Sequence, residues 1–76
     1  MDAKKALRQI MDKSETTGYA IALSMGRNSS YVYNVLGTHS NPSYAFLTSV
    51  ADACGYDLAL VKRDGSETII LDPPTE

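Results

Sequence analysis

Tryptophan is absent from this 76-residue chain, and cysteine and histidine occur once each, as Cys54 and His39. A single cysteine excludes an internal disulfide and fits a reducing, cytoplasmic setting. One histidine and one cysteine cannot close a four-ligand zinc site, so no metal centre is expected. No apolar run approaches the ~18 residues of a membrane span. The N-terminus, Met1-Asp2-Ala3-Lys4-Lys5, turns amphipathic at once, unlike a signal peptide. Glycine-rich phosphate loops and Gly-x-Ser-x-Gly nucleophile turns are missing too. The expectation is a non-enzymatic protein with no cofactor and no membrane partner.

What is present fits one small domain. Hydrophobic residues make up 43% and charged residues 21% of the chain, ordinary values for a folded protein. A domain of this size buries only ~60% of its unfolded surface, so a dimer contact would add needed burial. The net charge of −2 is unevenly spread. Residues 1–39 hold Lys4, Lys5, Arg8, Lys13 and Arg27 against Asp2, Asp12 and Glu15, a balance of +2. Residues 40–76 hold Lys62 and Arg63 against six acids, a balance of −4. A basic and an acidic half point to one face for an anionic partner; the plainer reading is chance.

Four helices are expected. Asp2 caps the first, in which Ala3, Leu7, Ile10 and Met11 recur at helical spacing. Thr17 caps a short second helix, apolar from Tyr19 to Met25 except for Ser24, and Gly26 stops it in a left-handed conformation. Asn28 caps a third, running from about Ser29 to Leu36, with Val32, Val35 and Leu36 on its buried stripe and Gly37 at its end. Thr38 to Pro42 is loop, with room for a short fifth turn. Ser43 caps the last helix, which carries Leu47, Val50, Ala51 and Cys54 and ends at Gly55. The period then shifts to strands. Leu58 to Val61 and Thr68 to Leu71, separated by a loop containing Asp64-Gly65, predict a β-hairpin. The division is therefore 1–56 helical, 57–72 hairpin and 73–76 loose tail, in a mainly α domain.

The informative feature is the pair of short helices joined by Gly26-Arg27-Asn28, the geometry of a helix-turn-helix unit. The second helix of such a unit enters the DNA major groove, so its first turn must be polar and outward. Here that turn offers Asn28, Ser29 and Ser30, followed by Tyr33 and Asn34. Asparagine can bond adenine at two points, and serine can bond several bases. Tyr33 is expected to touch DNA, while Tyr31 is divided between DNA contact and partial burial. His39, Lys4, Lys5 and Arg8 are candidate phosphate neighbours whose plainer reading is a solvated surface. Cys54 is expected in the core.

The run Thr17 to Val32 resembles the helix-turn-helix of the phage repressor and Cro family, also called the xenobiotic-response-element type. The family's signature is a Ser or Thr cap, an aliphatic-Ala pair, a glycine after three more residues, and a later Val or Ile; Thr17, Ile21-Ala22, Gly26 and Val32 stand in those places. Pro42-Ser43, Leu47, Val50-Ala51 and Gly55 resemble the helix that follows. The resemblance spans roughly residues 3–56 and implies a lambda-repressor-like fold. It places Ser29 and Ser30 at the base-contacting positions, Tyr33 and Asn34 one turn on, and Thr17 at the phosphate-contacting start of the preceding helix. Two departures stand out: Gly18 replaces the glutamine that many members carry, and the reading helix has no Lys or Arg, Arg27 lying just before it.

With so few cations a monomer would bind duplex DNA weakly, since phosphate neutralisation dominates affinity. A homodimer is therefore expected, with two reading helices about 34–36 Å apart on a palindromic site. The hairpin is the candidate dimer element, two copies pairing edge to edge and burying Leu60, Ile69 and Leu71. The alternative is that it covers the open face of its own helices. The expected function is a sequence-specific transcription regulator, a dimeric prophage or mobile-element repressor. The rival, favoured by net acidity and by Gly18, is a protein-interaction module on the same fold: an antitoxin, an anti-repressor or an inhibitor of a host defence protein.

Overall fold

The structure, a computed structural model, describes residues Met1–Pro73. It holds four helices, α1 (Ala3–Lys13), α2 (Gly18–Ser24), α3 (Tyr31–Leu36) and α4 (Tyr44–Ala53), followed by strands β1 (Leu58–Val61) and β2 (Thr68–Leu71). The mainly α architecture with a terminal antiparallel hairpin is as expected. The loose tail falls on residues 74–76, outside the described residues, apart from Pro73. Among the described residues no helix is long and apolar enough to cross a membrane.

Side-chain caps set three of the four helix starts. Asp2 accepts from the Lys5 amide at 2.8 Å, Thr17 from Ala20 at 3.1 Å and Ser43 from Phe46 at 3.2 Å. Each satisfies an amide that has no partner inside its helix. Left-handed residues follow the helix ends at Gly26 (φ 71°) and Gly55 (φ 80°), and also at Glu15 (φ 56°), where no glycine relieves the strain.

The core lies between the helices. Leu7 and Met11 of α1, Ile21 and Ala22 of α2, Val32 and Leu36 of α3, and Phe46, Val50 and Cys54 near α4 form one buried cluster. Phe46, absent from the helical stripe read in the sequence, joins it and meets the Tyr31 ring edge-on at 5.8 Å. Thr48 is also buried; its hydroxyl donates to the Tyr44 and Ala45 carbonyls, which removes the cost of burying it.

The hairpin barely joins that core. Its register pairs Leu58 with Leu71, Ala59 with Ile70, Leu60 with Ile69 and Val61 with Thr68. Leu58 and Leu71 are half-buried at the base, and the Tyr44 hydroxyl donates to the Asp72 carbonyl. Beyond them Leu60 (60%), Val61 (62%), Ile69 (52%) and Ile70 (56%) stand exposed. The hairpin thus does not cover its own helices. The radius of gyration, 12.8 Å, exceeds the ~11 Å typical of this length, as a projecting hairpin requires.

Candidate nucleic-acid interface

Helix α2 ends when the Gly26 amide bonds the Leu23 carbonyl and the Arg27 amide reaches back to Ala22, at 3.0 and 2.9 Å. Positive φ at Gly26 makes that reversal possible. Helix α3 then begins later than the sequence suggests. Asn28 is not its N-cap: Ser30 occupies that position, without a side-chain cap bond, and the first helical residue is Tyr31. The Asn28 side chain instead closes a local turn, its Oδ1 accepting from the Ser30 amide at 3.0 Å and the Ser30 hydroxyl at 2.8 Å. Asparagine competes for nearby donors in this way whenever the backbone lets it. Ser29 and Ser30 therefore belong to the approach to the helix, and Ser29 is half-buried.

The same turn orders an outward-facing polar row. The Asn34 side-chain amide donates to Ser30 Oγ at 3.4 Å, so Asn28, Ser30 and Asn34 form one exposed chain of hydrogen bonds. Behind them Val32 and Leu36 anchor α3 in the core. The sequence-predicted residues Asn28, Ser30 and Asn34 are thus brought together.

Tyr33, expected to touch DNA, also has a partner inside the fold. Its hydroxyl accepts a bond from the Gly18 amide at 3.1 Å, and its ring lies over Gly18, where an added Cβ would fall 2.8 Å from Cζ. Tyr33 therefore fastens α3 to the start of α2 beside the Thr17 cap, although half of its surface stays exposed. Gly18 is thus the seat for this ring.

Cations are few here. The Arg27 guanidinium lies 4.9 Å from the centre of the half-buried Tyr31 ring. Stacking leaves its N–H edge available for an anion. Arg27 and Tyr31 help to wall an open depression of about 540 Å³ in which, among the described residues, Arg27 is the one charged side chain. Lys4 and Arg8 are not merely solvated. They lie one turn apart on α1, and both point at the C-terminal end of α3, Lys4 donating to the Thr38 carbonyl and Arg8 to the Leu36 carbonyl at 3.2 Å. Their i, i+4 spacing puts the two cations on one face, but the carbonyls they meet lie far along the chain and leave no local signal. His39 stands apart from the polar row, lining a hollow with Asp2, Lys4, Asn41 and Pro42.

Compared with known proteins, the chain matches no family model, no curated protein and no solved structure.

Proposed function

We propose that the chain is a sequence-specific DNA-binding transcription regulator of the phage repressor and Cro type, with a lambda-repressor-like fold. It acts in the cytoplasm as a homodimer, as a prophage or mobile-element repressor that occludes a promoter. The observation that carries this reading is the Asn28–Ser30–Asn34 chain, polar, exposed and fixed by hydrogen bonds across the start of a helix anchored by Val32 and Leu36. An asparagine held in one orientation offers adenine an acceptor and a second N–H at once. Arg27 supplies the phosphate contact. The scarcity of other free cations nearby calls for two copies on one duplex.

The test is selection from a pool of random duplexes at low salt. A regulator of this kind enriches a two-fold-symmetric site with half-sites one helical turn apart. Failure to enrich any sequence removes the reading.

A second reading rests on a separate observation. Tyr19 and Leu23, one turn apart on α2, are both about half exposed, at 56% and 51%. Such a pair suits a protein partner, as in an antitoxin, an anti-repressor or an inhibitor of a host defence protein. Substituting both by serine separates the two readings: a DNA regulator keeps its selected site, whereas an interaction module loses its partner.

A further inference from the structure

We propose that Asn28 determines the base preference of the site without itself touching a base: through Ser30 it fixes which way round the Asn34 side-chain amide is presented. The proposal rests on the DNA reading above and deepens it.

A backbone amide can only donate a hydrogen bond, and that of Ser30 faces the Asn28 side chain. The Asn28 atom 3.0 Å from it is therefore the oxygen, Oδ1. That oxygen carries no proton, so the Ser30 hydroxyl, 2.8 Å away, is the donor to it. A hydroxyl has one proton to give. With that proton committed, Ser30 Oγ can only accept, and the Asn34 atom facing it at 3.4 Å is Nδ2. Ser30 and Asn34 are four residues apart, the spacing at which side chains meet across one helical turn. A single backbone N–H thus fixes the polarity of three exposed side chains.

One Asn34 N–H is spent on Ser30. The Oδ1 acceptor and the second N–H stay available, side by side and in a fixed order. In the major groove adenine offers N7 as acceptor and N6 as donor, the complement of that pair, whereas guanine offers two acceptors, N7 and O6. Guanine would set its O6 against Asn34 Oδ1. Asn28 keeps the order from reversing. Without it the Ser30 proton is free to go to Asn34 Oδ1 instead, and the amide takes either orientation. Discrimination among bases then relaxes, although Asn34 itself is intact. Asn28 has no need to reach a base for this, since both bonds of its side-chain oxygen go to Ser30.

Selection from a random duplex pool, repeated with variants of the full chain, tests this. The parent should favour adenine at one position per half-site. Asn28→Ala should reduce that discrimination about tenfold, with helical circular dichroism unchanged. Ser30→Ala should reduce it as much, and the double variant no further, because both break one relay. Asn28→Asp keeps an oxygen that accepts from Ser30. It should lower affinity for all sequences through its charge and keep the adenine preference. A role confined to folding the turn would instead weaken binding to every sequence alike in Asn28→Ala and leave the preference as it was. The Asn34 side-chain amide protons, followed by NMR without DNA, give a second readout. Their resonances should move in Asn28→Ala and move less in Asn28→Asp. The proposal is overturned if Asn28→Ala prefers adenine as sharply as the parent, if Asn28→Asp loses the preference, or if the Asn34 resonances do not respond to Asn28→Ala. In each of those cases a parent that selects a site keeps the DNA reading standing; a parent that selects no sequence removes both.

Discussion

The ring of Tyr33 rests on Gly18, and the Gly18 amide donates to the Tyr33 hydroxyl at 3.1 Å. This contact ties α3 to the start of α2 beside the shared core of Ile21, Ala22, Val32 and Leu36. Tyr33→Phe removes the acceptor and should cost about 0.5–1.5 kcal/mol. Gly18→Ala forces the ring aside; the lost seat and the better helix propensity of alanine oppose each other, leaving a net change under about 1 kcal/mol. The two effects should be non-additive in a double-mutant cycle read by urea unfolding. Strict additivity would mean that the contact does not exist in solution.

Lys4 and Arg8 should matter to stability without any DNA present. Arg8 donates to the carbonyl of Leu36, the last residue of α3, where a cation also meets the negative end of the helix dipole, and Lys4 donates to the Thr38 carbonyl two residues beyond. Replacing either by methionine should lower stability by about 0.5–1 kcal/mol, less at high salt. Thermal unfolding at two ionic strengths reads this.

Acid should loosen α1 through its cap. The Lys5 amide bonded to Asp2 holds that carboxyl below its ordinary range. A depressed folded value means the contribution is complete above the unfolded pKa and is lost as pH falls through the folded one. Stability should therefore drop below about pH 4. In Asp2→Asn, which keeps a capping oxygen but cannot titrate, that part of the drop should vanish. A pH series of melting temperatures for the two proteins checks it.

Glu15 follows α1 with φ 56°, and the Thr16 amide closes the turn on the Met11 carbonyl at 3.0 Å. Glycine suits that backbone, so Glu15→Gly should stabilise the fold by about 1 kcal/mol. The melting temperature would rise by roughly 4–8 °C.

Much of the fold was legible because local rules agreed. Asp2, Thr17 and Ser43 cap where a short polar side chain precedes an apolar period, and Gly26 and Gly55 are left-handed where that period stops. The Asp64-Gly65 loop joins two strands as its chemistry requires. What was not legible depends on contacts that only the assembled chain supplies. Asn28 has two possible tasks, and local geometry favours bonding Ser30 over capping α3. Tyr33 lies off the buried stripe, yet it finds a partner 15 residues away that periodicity cannot register. Lys4 and Arg8 look solvated until the end of α3 is placed beside them. The hairpin could cover its own helices or project, and only the assembled chain shows that Leu60 and Ile69 stay exposed.

In the reading proposed above, Asn34, held by Ser30, reads a base. The most direct test compares duplexes selected from a random pool by the parent protein and by Asn34→Ala, with affinities measured at two salt concentrations. The parent should select a symmetric site, and Asn34→Ala should lose preference at one A·T pair per half-site, about 1–3 kcal/mol, with the salt slope unchanged. Arg27→Ala should instead lower the slope and spare the preference. Identical selected sites for parent and Asn34→Ala, or no selected site at all, would contradict the account.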